Sequence, residues 1–179
     1  MFNCIAESIN FKSMDSGVKF QNGNVRIWKE DDVKETKMIV EGAYQIVEGT
    51  TNYSPKNLNG VIKLTDPWVE GIQGQGINEY IGIKSNNAKR LYISIGYVSY
   101  HKPYLYEQNS RPKKIQLSVE GKYSFTFNLE DTPNFQTIDL PQRLKDNDEL
   151  ILTILEVYPG TKYEDTCINS IYYDWVDYE

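Results

Sequence analysis

Residues 114–129 read Lys114-Ile115-Gln116-Leu117-Ser118-Val119-Glu120-Gly121-Lys122-Tyr123-Ser124-Phe125-Thr126-Phe127-Asn128-Leu129. Ile115, Leu117 and Val119 alternate with polar residues, and Tyr123, Phe125, Phe127 and Leu129 alternate with Ser124, Thr126 and Asn128. Period two over two runs is the pattern of strands with one buried and one solvated face. Gly121-Lys122, glycine first, suits a two-residue type II′ connection. The stretch predicts a half-buried antiparallel hairpin.

The same period extends outward from it. Ile81 with Ile83, and Leu91 with Ile93 and Ile95, predict two earlier strands joined across Ser85-Asn86-Asn87. Asp131-Thr132-Pro133-Asn134 is turn chemistry before a strand over Phe135 to Leu140. Glu149 to Val157 is apolar on both faces, as in a central strand covered on both sides, and a last strand runs from Cys167 to Trp175. Val25 to Trp28 and Met38 to Val40 are strand-like, and residues 1–43 read as an N-terminal extension that adds edge strands to a body over 44–179, or as a remnant of a preceding region. No stretch keeps helical spacing for three turns. Many short strands divided by turns predict an all-β sandwich.

Composition narrows the function. The chain has 179 residues, enough for one ordinary domain, and a formal net charge of −6. A phosphate backbone or an anionic membrane is repelled on average, and no apolar run is long enough to cross a bilayer. These features exclude nucleic acid and membrane insertion. One histidine and two cysteines are too few for a His/Cys zinc cage. Cys4 and Cys167 read first as two free or buried thiols, with a disulfide between them as the alternative. The start, Met1 to Glu7, has no basic region followed by an apolar stretch, so it does not read as a signal peptide. The chain is either an intracellular protein or a mature part without its leader. The dominant signal is 14 tyrosines beside 3 tryptophans and 6 phenylalanines.

If successive strands run antiparallel, connections alternate between two ends of the sandwich. Residues 66–78, 99–112, 130–134 and 158–166 then share one end, which gathers Trp68, Glu70, His101, Tyr104, Tyr106, Asn109, Arg111, Tyr158, Tyr163 and Asp165. Residues 85–89, 121–122 and 141–148 share the other, which is small, polar or charged. Rings beside hydrogen-bonding groups suit a polyol, and sandwich loops commonly carry function. Trp68, Glu70, Tyr104, Asn109, Arg111, Tyr158, Tyr163 and Asp165 are the candidate ligand contacts. Several have a second reading. Trp68 suits a core plug, Arg111 an ion pair with a loop carboxylate, Tyr158 a turn, and His101 a solvated loop position. Glu164-Asp165-Thr166 offers oxygen ligands for calcium or a solvated turn.

Asn52-Tyr53-Ser54-Pro55-Lys56-Asn57-Leu58 and then Trp68-Val69-Glu70-Gly71 resemble the opening of F5/8 type C (discoidin-like) modules. The continuation resembles the NAD glycohydrolase translocation, or NADase-type glycan-binding, subgroup of bacterial proteins. Its pieces are Gly74 to Glu79, Gly96-Tyr97, Asn109 to Lys113, Asp131 to Gln136 and Tyr158 to Ile168. The resemblance covers residues 44–175. It implies a galactose-binding-like jelly roll, a non-catalytic glycan-binding role with no cofactor, and a place in an exported or cell-surface protein. It does not imply NAD cleavage. A structural calcium ion is the one metal it brings into consideration, but Asn59-Gly60 stands where Asp-Gly is common. A protein-docking module is the alternative, since Tyr and Arg also anchor protein interfaces. A glycoside hydrolase using Glu70 or Glu79 with Asp165 is the remote one.

Overall fold

The computed structural model describes residues 16–21, 24–29, 39–42, 47–48, 51–58, 67–84, 88–99, 101–145 and 147–173. The strand-like segments around residues 25–28 and 38–40 become β2 (Asn24–Lys29), paired with β1 (Ser16–Gln21), and β3 (Ile39–Gly42). A small ladder joins β4 (Val47–Glu48) to β5 (Thr51–Asn52), and a single 3-10 turn follows over Pro55–Leu58. β6 (Trp68–Val69), β7 (Tyr80–Lys84), β8 (Arg90–Ile95), β9 (Arg111–Val119), β10 (Tyr123–Asn128), β11 (Gln136–Asp139), β12 (Glu149–Tyr158) and β13 (Cys167–Tyr173) build the body. One short helix, α1 (Leu105–Gln108), interrupts the β8–β9 connection.

Two antiparallel sheets face each other, one ordered β10-β9-β12-β7-β3 and the other β11-β8-β13-β6. β3 lies at the outer edge of the first, paired with β7. Ile81, Ile83, Ile115, Leu117, Leu150 and Leu152 on one sheet meet Leu91, Ile93, Ile95, Ile138, Ile168 and Ile171 on the other, in one buried cluster. Each such side chain contributes about 1.5–3 kcal/mol by leaving water. This is the sandwich that period two predicts.

The hairpin differs in its turn. Val119 pairs with Tyr123, Leu117 with Phe125 and Ile115 with Phe127, so three residues, Glu120 to Lys122, connect the strands. A two-residue loop would set Ser118 opposite Phe125, with polar and apolar side chains sharing a face. The apolar pattern selects the longer loop. Lys122 N–H donates to the Val119 carbonyl at 3.1 Å, and Gly121 takes a φ of 68° at the position of this turn that favours glycine.

The strand covered on both faces is also a different one. In β12 only Leu150, Leu152 and Ile154 are buried, while Ile151 and Thr153 are half-exposed opposite Gly82 and Tyr80. In β8, Tyr92 and Ser94 are buried as well as their apolar neighbours, because residues 130–135 fold over that sheet's outer face. Ser94 Oγ donates to the Pro133 carbonyl at 2.9 Å, and Phe135 packs on Tyr172 with ring centroids 5.5 Å apart. Cys167 is a free, buried thiol; Cys4, the turn at residues 85–87 and Asn59-Gly60 lie outside the described residues.

Candidate functional site

The loops assigned to one end by strand alternation are joined there by hydrogen bonds. Ser110 N–H donates to the Asp165 carbonyl and Cys167 N–H to the Ser110 carbonyl, each at 3.0 Å. Thr161 N–H reaches the Glu107 carbonyl, and both Lys162 and Tyr163 N–H reach that of Gln108. Gly160 N–H donates to Ser110 Oγ at 3.0 Å. A Cβ at Gly160 would stand 2.4 Å from the Gln108 and Tyr163 carbonyl oxygens, so only glycine lets these segments approach so closely. Residues 70–78 join through Glu70 N–H to the Thr166 carbonyl and Thr166 Oγ1 to the Gln75 carbonyl. At the opposite end Lys122 Nζ pairs with Asp148 at 2.6 Å.

Most of the candidate ligand residues point inward. Trp68 is fully buried in the core, where β6 pairs with β13. Glu70 is fully buried, its Oε2 accepting from Ile72 N–H at 2.9 Å and its Oε1 from Thr166 N–H at 3.3 Å. Burial pushes its carboxyl above the usual range. Asn109 is buried, and its Nδ2 donates to the Leu105 carbonyl, tying the end of α1. Tyr158 is half-buried with its hydroxyl donating to the Leu129 carbonyl at 2.9 Å. Asp165 is half-exposed, and His101 is exposed.

Arg111 takes the second of its two readings, an ion pair with a loop carboxylate. Its Nε and Nη2 reach the two Asp131 oxygens at 2.7 Å each, and its Nη1 donates to the Tyr106 and Asn109 carbonyls. The guanidinium also lies 4.9 Å from the Tyr106 ring centroid and 5.9 Å from that of Tyr158. Tyr106 hydroxyl donates to Asp131 Oδ1, and burial holds its phenol protonated. The guanidinium fork is committed to this internal clasp and not to the surface. Asp131 belongs to a loop that strand alternation places at this end; its pairing partner carries no signal in the sequence.

Of the candidate ligand residues, the two that stay exposed are tyrosines. Tyr104 is 52% exposed and Tyr163 37%. Lys162 Nζ lies 4.7 Å from the Tyr163 ring centroid. Its pKa is raised, first by the hydrogen bond with Tyr163 and further by Tyr104. Lys162 is absent from the candidates because a lone lysine in a polar turn reads as solvated.

This arrangement defines an F5/8 type C β-sandwich of the galactose-binding-like class. The chain belongs to the NAD glycohydrolase translocation F5/8 type C domain family, which it matches over residues 17–174. That match begins upstream of residue 44 and takes in β2, β3 and all of β1 but Ser16. No curated protein sequence matches the chain. Among solved structures, the chain is similar to the family 32 carbohydrate-binding module of Clostridium perfringens NanJ in complex with galactose, at TM-score 0.52 and 11% identity, covering 77% of this chain and 97% of that one. It is similar at TM-score 0.52 and 12% identity to the C. perfringens module CpGH89CBM32-5 in complex with GalNAc-β-1,3-galactose, covering 75% and 92%. It also resembles part of the mycobacterial arabinofuranosyltransferase AftD, at TM-score 0.52 and 9% identity, covering 87% of this chain and 13% of that one. At such identities the shared property is the fold. No helix among the described residues is long and apolar enough to cross a membrane.

Proposed function

We propose that the chain is a non-catalytic glycan-binding module that holds a neutral sugar against Tyr104 and Tyr163. The observation that carries this reading is the pairing of two exposed rings on loops that are bonded to each other, at the end opposite the polar turns. A ring held on a fixed loop presents apolar area at little entropic cost, and the axial hydrogens of a sugar supply the complementary face. Lys162 offers N–H donors to hydroxyls beside the rings. The C. perfringens modules of the same fold, in complex with galactose and GalNAc-β-1,3-galactose, support the ligand class. The resemblance further supports a place outside the cell or on its surface, as one module of a larger bacterial protein.

Each hydroxyl exchanges water bonds for protein bonds, so a pair nets only about 0.5–1.5 kcal/mol and affinity is weak. A neutral ligand also leaves affinity nearly independent of salt. A glycan array followed by calorimetry on its hits tests the reading. Weak, salt-insensitive binding to neutral glycans supports it. Silence across a broad array together with specific capture of a protein favours docking instead, and steep salt dependence on a sialylated or sulfated glycan overturns the neutral-ligand assignment.

A further inference from the structure

β10 leaves one side of its sheet open. Leu129 N–H donates to the Lys113 carbonyl at 2.8 Å, just beyond the ladder between β9 and β10. Hydrogen-bonded pairs alternate along an antiparallel ladder, so Tyr123, Phe125 and Phe127 turn their main-chain groups to β9. Ser124, Thr126 and Asn128 turn theirs to the outer edge, where no described strand pairs with them. Sheet edges are commonly guarded by charge, proline, a bulge or short length. β6 has two residues, β3 carries Glu41, and β11 carries Asp139 in an ion pair with Arg90. β10 has six residues, none charged and none proline, in unbroken register with β9. Phe125 and Phe127 pack against the core yet are only half-buried, since no strand among the described residues lies beyond them.

We propose that this edge is the interface with a second copy of the chain, β10 pairing antiparallel with β10 about a two-fold axis at Thr126. Only Ser124, Thr126 and Asn128 have the outward main-chain groups that an axial hydrogen-bonded pair requires. Centring on Thr126 sets Ser124 against the second copy's Asn128 and so engages all three; centring on either of the others leaves part of the edge unpaired. Thr126 then faces itself, a favourable cross-strand pair. On the inner face Phe125 meets the second copy's Phe127, and each half-buried ring gains a cover. Just beyond the strands, Lys122 comes opposite the second copy's Glu130, so opposite charges meet at both ends. Glu130 is exposed and makes no ion pair among the described residues. This complementarity of the strand to itself names a second copy, rather than an arbitrary extended peptide, as the occupant. The interface is small and largely main-chain, which places it in the weak, reversible class. It stands whether or not a sugar binds.

Sedimentation of the full chain from roughly 10 μM to 1 mM tests it. The parent's average mass is expected to rise with concentration toward twice that of the monomer. Thr126→Lys sets like charges against each other on the axis, at an exposed position, and is expected to weaken association at least about tenfold while the fold persists. Oxidative crosslinking reads the register and serves even if Thr126→Lys does not fold. In a Cys4→Ser background, the two copies of Thr126→Cys place their Cα atoms about 5.5 Å apart, within disulfide reach. Those of Ser124→Cys lie about 14 Å apart. Thr126→Cys is therefore expected to form a covalent dimer at least about tenfold faster than Ser124→Cys. A parent that stays monomeric to about 1 mM, a folded Thr126→Lys that associates like the parent, or equal crosslinking of the two cysteine variants overturns the proposal.

Discussion

Arg111 and Asp131 face each other as a planar two-point pair, Nε to Oδ1 and Nη2 to Oδ2, both at 2.7 Å. The arginine opens β9 and the aspartate follows β10, so the pair closes the sandwich where these two strands leave the sheet. Arg111 is 7% exposed while the Asp131 side chain keeps 38% of its surface, so solvent screens one partner only.

Breaking this pair is expected to weaken the fold. Asp131→Asn leaves a buried guanidinium without its counter-charge, a loss of about 1–3 kcal/mol after allowing for the solvated partner. Arg111→Lys retains charge but loses the fork and the Tyr106 and Asn109 carbonyl bonds, and is expected to cost a similar amount. Urea unfolding measures both.

The same pair sets a pH dependence. The hydrogen bond from Arg111 holds the Asp131 carboxyl below the usual carboxylate range. A group whose folded pKa is depressed stabilises the fold above its unfolded value, about 3.9, and that contribution is lost as pH falls through the folded pKa. The stability gap between the parent and Asp131→Asn is therefore expected to be full above about pH 5 and to narrow steadily below about pH 4. A gap that widens with acid contradicts the assignment.

Core and edge positions are expected to separate cleanly. Leu152→Ala removes a fully buried side chain from central β12 and is expected to cost about 3–4 kcal/mol. Phe125 is only half-buried, on edge strand β10, so Phe125→Ala is expected to cost less, about 2 kcal/mol. The ordering of the two midpoints in denaturant is the check.

Gly160→Ala is expected to separate the loop bearing Tyr163 from the segment bearing Tyr104. The new methyl collides with two carbonyl oxygens, neither of which is a flexible side-chain end. Glycan affinity is expected to fall about tenfold or more, with a stability loss of about 1–3 kcal/mol. Affinity unchanged in the folded variant contradicts the role given to the loop contact.

The strands were legible because their signal is local. Period two over Ile115 to Leu129 survives any tertiary context, and alternation of antiparallel strands then sorts the loops by end. The direction of a side chain within a loop has no such code. Arg111 precedes a proline and opens a strand, a position equally compatible with facing a ligand or turning inward to Asp131. Trp68 and Glu70 lie two residues apart and are both buried, one by packing and one by two backbone N–H donors, because residues 70–78 fold back onto Thr166. The three-residue turn at Glu120 to Lys122 was open to inference from facing polarity, since only that length aligns Leu117 with Phe125. The half-exposed face of β12 was not, because Ile151 and Leu155 are apolar there without being enclosed.

Calorimetric titration of a glycan-array hit against the parent, Tyr104→Ala and Tyr163→Ala tests the binding reading most directly. Tyr104 and Tyr163 are rim residues, so both variants are expected to unfold at the parent's temperature. Each is expected to bind at least about tenfold more weakly, equivalent to about 1.4 kcal/mol of lost stacking and buried apolar area. Unaltered affinity in both folded variants would contradict the proposal that these two rings hold the sugar.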